Sequence, residues 1–331
     1  MIPYIKVPEL TIGPFPIHAF GLLVATGVVV GTTLATRRAR MRGLDLDLLN
    51  SFITWMLVGG FVAGHVLDEV FYHPDEIARD PLSLLKLWAG LSSFGGFVGA
   101  FAGILLWKYF DVAPAGSRRG NGFVRNVTPR PILPFADIIL AVFPVAWVFG
   151  RAGCASVHDH PGEPASPSSV LAVEFPSHNP GYTGSVAHAH TFGPVTFVPG
   201  SLLHGPFPRY DLGLLELMFT ILLAAIFALT WRKRLPTGTY VAAAALAYAP
   251  ARFAMDFLRI REGQDADPRY GSLTPAQWAC AALFAYGLYV LRTVLRLHAR
   301  GIDPTDLVKA HRPSDEHHAR VDSPGIDVPS R

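Results

Sequence analysis

Ionisable side chains cluster just after a long apolar run, Ile132–Phe149. The residues of interest in this cluster are Arg151, Gly153, Cys154, His158, Asp159 and His160. A guanidinium binds phosphate as a fixed cation, a thiolate is a nucleophile, and an imidazole beside a carboxylate transfers protons. Because an arginine at the centre of a membrane helix costs about 2.5–3.5 kcal/mol, this cluster at a membrane boundary is a candidate functional site.

The composition indicates a membrane protein. Half of the 331 residues are hydrophobic and only 16% are charged, whereas about a quarter of residues are charged in soluble domains. A soluble helical bundle needs a polar face on each helix, which the uncharged stretch Ile138–Phe149 does not offer. We therefore predict an all-α, polytopic membrane protein with about seven transmembrane helices, since about 17–25 residues cross a bilayer. The apolar runs are His18–Thr36, Phe52–Phe71, Ser93–Phe110, Ile132–Phe149, Leu212–Trp231, Thr239–Leu258 and Gln277–Val294.

The distribution of Lys and Arg predicts how these helices are oriented. The segments that follow the first, third, fifth and seventh runs are rich in positive charge, and those that follow the second and fourth are poorer in it. The positive-inside rule then places the N-terminus outside and the C-terminus in the cytoplasm. Arg259, Arg261 and Arg269 are the exception on the predicted outer side, where arginines snorkel or hold phosphate.

We predict a single transmembrane domain over residues 1–300, with a periplasmic cap inserted at 155–211. The cap is rich in proline, glycine and histidine and contains short β-type runs such as Pro194–Val198, so we expect it to be irregular. Residues 301–331 form a polar, proline-containing tail that we expect to be disordered.

A metal centre is an alternative use of the cap histidines. His158 and His160 form one pair two residues apart, and His188 and His190 form another. Imidazole is a common metal ligand, but no third ligand is seen to approach either pair. We therefore predict no metal site and no cofactor. The two cysteines are too few for a disulfide framework, so we expect independent buried thiols.

Motifs along most of the chain resemble one family of bacterial membrane enzymes. They are Ile12–Pro14, His18–Leu22, Gly90–Gly96, Asp137 ahead of Gly150–Gly153, the set Tyr248, Arg252, Asp256 and Arg259, and Leu273-Thr274 with Gln277. In order, spacing and predicted topology these motifs resemble the phosphatidylglycerol–prolipoprotein diacylglyceryl transferases, which have seven membrane helices in the same orientation.

The resemblance implies transfer of a diacylglyceryl group from phosphatidylglycerol to the lipobox cysteine of a prolipoprotein, at the bacterial cytoplasmic (inner) membrane. The implied partners are phosphatidylglycerol, the lipobox-containing signal peptide and membrane lipid, and we expect no nucleic acid. Two alternatives remain open. The protein is a non-catalytic lipid-binding relative, or it is a different membrane lipid hydrolase that uses the periplasmic histidines.

The implied reaction suggests roles for the clustered residues. Arg151 and Arg252 fit a site for the phosphate, with Arg259 as outer support. Tyr248, Arg252 and Asp256 follow one another at i, i+4 spacing and therefore lie on one helical face. The residues assigned to substrate binding are Arg151, Gly153, Cys154, Arg252, Asp256 and Arg259.

The chain departs from the family at four motif positions. It has Phe20 for tyrosine, Phe94 for histidine, Cys154 for asparagine and Asp159 for glutamate. The histidine that Phe94 replaces is a main candidate for the family's catalytic base, and phenylalanine cannot accept a proton. We therefore predict that the base has moved to His158 or His160, beside Asp159, with Tyr248 as a further candidate catalytic residue.

Overall fold

The protein is predominantly helical. The computed structural model describes residues 1–5, 7, 10–12, 15–86, 90, 92–113, 122–166, 168–175, 190–192, 195–197, 207–261 and 269–309. Its helices are α1 (Ala19–Arg42), α2 (Leu46–Tyr72), α3 (Pro74–Arg79), α4 (Ser93–Tyr109), α5 (Leu133–Val157), α6 (Leu212–Leu229), α7 (Thr239–Met255) and α8 (Pro275–Ala299).

Within these residues, α1, α2, α5, α6, α7 and α8 are long and apolar enough to cross a membrane. The predicted class, an all-α polytopic membrane protein, is confirmed. The remaining predicted span, Ser93–Phe110, is the third in chain order and corresponds to α4, which has 17 residues. At 1.5 Å per residue α4 is about 25 Å long, which is less than the hydrocarbon thickness of about 30 Å. The count of seven spans and the orientation of the termini therefore stay predictions.

The chain divides into two compact units. The first comprises Met1–Ala35 and Ala136–Ile302, and the second comprises Thr36–Phe135 and Asp303–Arg331. Residues 310–331, most of the predicted tail, lie outside the described part of the chain. The predicted division into a transmembrane domain, an inserted cap and a disordered tail stays a prediction.

In the second unit, glycines let α2 and α4 approach closely. A Cβ atom on Gly99 would lie 2.2 Å from the carbonyl oxygen of Gly59, and one on Gly103 would lie 2.2 Å from that of Trp55. Any larger side chain at these positions would push the helices apart. Gly99 and Gly103 of α4 therefore serve helix packing.

Short strands occur between the helices. They are β1 (Ile2–Pro3), β2 (Leu10–Ile12), β3 (Phe15–Ile17), β4 (Phe110–Ala113), β5 (Gly122–Arg125), β6 (Pro161–Pro164), β7 (Ala172–Phe175), β8 (His190–Phe192), β9 (Val195–Phe197) and β10 (Phe207–Asp211). One sheet has the order β1-β7-β10-β6, in which β1 is parallel to β7 and β10 is antiparallel to both its neighbours. The predicted cap therefore contains a small sheet, to which the N-terminus of the chain adds an edge strand.

Helices α5, α6 and α7 of the first unit are joined by an apolar cluster and a polar cap. Ala141, Leu223 and Tyr240 are among the buried residues of the cluster. Asp137 of α5 accepts a 2.7 Å hydrogen bond from the backbone N–H of Tyr240 in the first turn of α7. Because a carboxylate stabilises the N-terminus of a helix, this contact fixes α7 against α5.

Candidate functional site

The buried carboxylate of Glu216 on α6 is the centre of the candidate site. Its side chain is 4% exposed and lies within the otherwise apolar α6. Arg151 approaches it from α5 with Nε 3.0 Å from Oε1, and Arg252 approaches from α7 with Nε 3.7 Å from Oε2. The Tyr248 hydroxyl donates a short hydrogen bond to the same carboxylate. Three helices therefore contribute charge to one buried point.

Arg151 is held by an aromatic ring as well as by Glu216. Its guanidinium carbon lies 4.8 Å from the centre of the Trp147 ring, one turn earlier on α5. Although Nε is close to Glu216, its N–H makes no hydrogen bond within the described residues. A buried guanidinium with an unused N–H is suited to an anionic ligand that supplies the missing acceptor.

Arg252 belongs to a polar chain that connects α7 to α8. Its Nη1 donates to Asp256 Oδ1 at 2.8 Å. Asp256 is fully buried and also accepts a short hydrogen bond from the hydroxyl of Thr274. Thr274 and Gln277 form the capping box that begins α8. Both of these residues belong to the sequence motif, so its last part has a structural explanation: it starts the helix that supports Asp256.

Arg259 follows the short 3₁₀ helix Asp256–Leu258 that continues α7, at the edge of the cap. It forms an isolated β-bridge with Gly162, and its Nε lies 3.9 Å from Asp256 Oδ1. A Cβ on Gly162 would lie 2.6 Å from the carbonyl oxygen of Leu258, so only glycine permits this approach. The side chain of Arg259 is 27% exposed. This exposure suits a supporting contact at the edge of the site better than a buried contact with Glu216.

His158 is locked in a structural arrangement. Its Nδ1–H donates to Asp211 Oδ2 at 2.6 Å, its Nε2–H donates to the carbonyl oxygen of Ile5 at 3.2 Å, and its ring stacks on Tyr4 at 4.0 Å. Burial disfavours the charged form, yet the hydrogen bond and charge of Asp211 raise the pKa of His158 above its usual value. Both ring nitrogens donate only in the imidazolium, which cannot accept a proton.

This arrangement favours a structural role for His158, and its assignment as a candidate base stays a prediction. Its backbone adopts a left-handed φ of 51°, and its imidazole contacts the N-terminal segment and the start of α6. We therefore treat His158 as a residue that joins elements together.

His160 has a different environment. Its Nδ1–H donates to Asp159 Oδ1 at 2.5 Å, and its side chain is 26% exposed. Because the carboxylate only accepts, Nδ1 carries the hydrogen, and in the neutral imidazole this arrangement leaves the Nε2 lone pair available. Of the two predicted histidines, His160 keeps the geometry of a base.

Cys154 lies beside this histidine–aspartate pair. Its Sγ, a carboxylate oxygen of Asp159 and a ring nitrogen of His160 all lie within 4.8 Å of one another. Arg151 Nη1 is 3.7 Å from the same sulfur. The argument against a metal rested on the lack of a third approaching ligand, and here three ligand types converge without His158. The pair His188 and His190 lies outside the described residues or their described side chains.

Gly153 and Phe20 contact each other. A Cβ on Gly153 would lie 2.9 Å from the ring of Phe20 on α1, so glycine lets α1 approach α5 next to Arg151. In the other unit, Phe94 lies in the first turn of α4 and is 58% exposed.

Glu216 is the residue of the site that sequence analysis missed. The signal was present, because a single carboxylate interrupts the apolar run Leu212–Trp231. An ionisable residue inside a membrane span is a candidate functional residue by default. It was overlooked because it belongs to no motif in its own segment.

The fold and the site together define a polytopic membrane protein in which the buried Arg151 and the partly buried Arg252 meet at one carboxylate. A family model for prolipoprotein diacylglyceryl transferase matches residues 9–293. The chain therefore belongs to the prolipoprotein diacylglyceryl transferase family, a family of membrane enzymes.

Individual relatives agree with this assignment. The phosphatidylglycerol–prolipoprotein diacylglyceryl transferase of Nitratidesulfovibrio vulgaris (strain DSM 19637 / Miyazaki F) is 26% identical, over 87% of this chain and 94% of that protein. The enzyme of the same name from Rhodopseudomonas palustris is 27% identical, over 89% of this chain and 91% of its own length. That from Pseudomonas paraeruginosa is 25% identical, over 87% and 93%. The resemblance found in the motifs is confirmed, and the chain is a divergent member.

Proposed function

We propose that this protein transfers the diacylglyceryl group of phosphatidylglycerol to the lipobox cysteine of prolipoproteins in the bacterial inner membrane. Family membership supports the reaction, and the single structural observation that carries it is the convergence of Arg151 and Arg252 on Glu216. The leaving group is a glycerol phosphate, so the reaction needs fixed positive charge inside the membrane.

The two arginines bind the phosphate of the lipid. A guanidinium stays charged and presents paired N–H donors that match phosphate oxygens. Glu216 balances the arginines while no lipid is bound, since isolated buried cations are costly. When the phosphate enters, its oxygens accept from N–H groups of the two arginines. One of these is the Nε–H of Arg151, which makes no hydrogen bond within the described residues. Arg259 lies at the outer edge and attracts the head group.

His160 accepts the proton of the incoming thiol. Asp159 orients the imidazole through Nδ1 and leaves Nε2 to act as the base, as the replacement of the family histidine by Phe94 requires. The substrate sulfur attacks the glyceryl carbon bonded to the phosphate oxygen. The new bond is C–S, the C–O bond breaks, and its electron pair leaves with glycerol phosphate. The thiol proton remains on His160.

The proposal is tested with purified protein in phosphatidylglycerol vesicles and a lipobox peptide, followed by mass spectrometry. We expect the peptide to gain the mass of one diacylglyceryl group, and His160→Ala to remove this product while the folded protein is recovered. His73→Ala is the matched control, because His73 is exposed and lies in the other unit.

An unmodified peptide, under conditions in which an authentic family member modifies it, would contradict the proposed transfer. If the protein still bound phosphatidylglycerol, the non-catalytic lipid-binding relative would be the better account. Release of free lipid products without transfer to the peptide would instead favour a hydrolase. Complementation of a transferase-depleted bacterium extends the same comparison to the cell.

A further inference from the structure

Cys154, Asp159 and His160 bring three kinds of metal ligand to one place at the outer end of α5. The sulfur, a carboxylate oxygen and an imidazole nitrogen all lie within 4.8 Å of one another. Ligands bound to a tetrahedral Zn²⁺ at about 2.0–2.3 Å are about 3.3–3.8 Å apart. The side chains of His160 and Asp159 are 26% and 36% exposed. Small rotations of these side chains therefore suffice to bring the three ligand atoms to the distances that a bound metal requires.

The chemistry of the three ligands selects a soft or borderline ion. Thiolate and imidazole together favour Zn²⁺ and similar ions, whereas Mg²⁺ and Ca²⁺ prefer sets made only of oxygen. With three protein ligands the fourth position stays open to water.

The charged neighbours of Cys154 form an ion pair. Arg151 Nη1 lies 3.7 Å from Cys154 Sγ, and the thiol proton is released when a metal binds the sulfur. Glu216, 3.0 Å from Arg151 Nε, offsets the positive charge of the guanidinium. The bound ion therefore does not face an uncompensated cation.

We propose that Cys154, Asp159 and His160 form a binding site for a soft divalent metal ion such as Zn²⁺, and that occupancy of this site blocks diacylglyceryl transfer. The blocking effect rests on the proposed function, because a metal on the imidazole of His160 removes the lone pair that accepts the thiol proton. Binding itself does not depend on that function. The site is inhibitory, so the reaction itself is still expected to need no metal.

Binding is tested with Cd²⁺, which gives an ultraviolet charge-transfer absorption when a thiolate coordinates it. The chain has only two cysteines, so the Cys280→Ser protein, in which Cys154 is the one remaining thiol, should keep the absorption at about one equivalent of metal. Cys154→Ser should lose it. His160→Ala should weaken binding by at least the roughly 10–100-fold that loss of a supporting residue costs at metal sites.

Thermal midpoints and elution volumes without metal show that each variant is folded. The Cys280→Ser protein leaves the ligands intact, so it tests the site even if Cys154→Ser fails to fold. No absorption in Cys280→Ser, or an unchanged absorption in Cys154→Ser, would overturn the site.

Inhibition is measured with the peptide-transfer assay. Saturating Zn²⁺ should lower transfer at least about tenfold, and a chelator should restore it. Zn²⁺ also binds the thiol of the substrate peptide, which needs a control. The control is a family member with asparagine at the position of Cys154, which should stay active in Zn²⁺. Metal binding without inhibition would overturn the role of His160 as the base but not the metal site. Normal transfer in a protein that binds no metal would overturn only the metal site.

Discussion

At the scale of single residues, charge balance explains the arrangement around Glu216. The buried site has two guanidiniums, Arg151 and Arg252, and two carboxylates, Glu216 and Asp256. These charges cancel while no lipid is bound. A phosphate head group adds negative charge, so it competes with Glu216 for the arginine donors. Asp256 is in addition tied to the start of α8, because it accepts from Thr274.

We expect Arg252→Ala to lower transfer by about 10²–10³-fold, the cost of losing one fixed donor to a developing anion. Arg252→Lys should recover little, because one ammonium cannot reproduce the planar fork that reaches both Asp256 and the phosphate. The measurement is the rate of peptide modification per folded protein. Arg296→Ala is the matched control, since Arg296 is exposed in the last turn of α8. Near-normal transfer in Arg252→Ala would rule out an essential phosphate contact there.

Removal of the Glu216 charge should make stability depend on lipid. In Glu216→Gln the buried Arg151 and the partly buried Arg252 lose their shared partner, and breaking a buried ion pair costs about 3–5 kcal/mol. We expect a lower thermal midpoint in lipid-free detergent, and a larger rise on adding phosphatidylglycerol than the native protein shows. Glu76→Gln, at an exposed position of α3, should behave like the native protein. An equal lipid response in both proteins would show that phosphate does not compete with Glu216.

The sequence predicted the residues of this site better than it predicted their partners. Arg151, Arg252 and Asp256 were found because their spacing and motifs are local properties of α5 and α7. Glu216 was missed because its role comes from tertiary contact among three helices. The structural contacts of His158 were not predicted because nearness in sequence to Arg151 does not specify side-chain direction, and a φ of 51° turns the chain there.

At the scale of elements, His158 joins three segments that are distant in sequence. It binds Asp211, which caps α6 through Leu214 N–H, and it contacts Tyr4 and Ile5 next to β1. We expect His158→Ala to lower the free energy of unfolding by about 3 kcal/mol or more, because Asp211 would stay buried without its partner. Chemical denaturation of the detergent-solubilised protein measures this, with His73→Ala as the control.

The His158→Ala variant also distinguishes a structural role of His158 from a catalytic one. Transfer per folded molecule should fall far less in His158→Ala than in His160→Ala. The opposite order, with His158→Ala stable but inactive and His160→Ala active, would return the role of base to His158.

The packing of α2 on α4 gives a second prediction at this scale. Gly99→Ala places a methyl group 2.2 Å from the carbonyl oxygen of Gly59, so the helices must separate. Overpacking of this kind costs about 1–3 kcal/mol. Gly96→Ala is a close control, because its Cβ would meet no heavy atom nearer than the carbonyl oxygen of Gly60 at 3.9 Å. Thermal midpoints should fall only for Gly99→Ala, and equal midpoints would contradict the described helix contact.

The long helices were predictable because each corresponds to a long apolar run within one segment of the chain. All seven apolar runs overlap helices in the structure, because about twenty apolar residues have few alternatives to a helix in a membrane. The cap sheet was not predicted. Its strands have two to five residues, β6 (Pro161–Pro164) contains two prolines, and β1 comes from the far end of the chain. Pairing over that distance leaves no pattern within any one segment.

At the scale of the whole molecule, helix α4 decides on which side of the membrane the termini lie. An odd number of spans places the two ends on opposite sides, whereas an even number places them on the same side. Six of the described helices meet the length and hydropathy expected of a span, and α4, with 17 residues, is shorter. A helix about 25 Å long can still cross where flanking residues reach the interface or the bilayer thins. Tyr109 and Lys108 at its C-terminal end are residues of that kind.

The positive charges favour the odd count. With α4 as a span, Arg118, Arg119, Arg125 and Arg130 lie on the same side as the basic residues after α1, α6 and α8. We therefore expect green fluorescent protein fused after Arg331 to fluoresce, because it folds in the cytoplasm. Alkaline phosphatase fused after Ser169 in the cap should be active, because it needs the periplasm. Phosphatase fused after Gly120, just past α4, should be inactive. Active phosphatase at Gly120 would mean that α4 does not cross. In that case the outer face of the site, the position of the cap and the route of the prolipoprotein to Arg151 would all have to be reassigned.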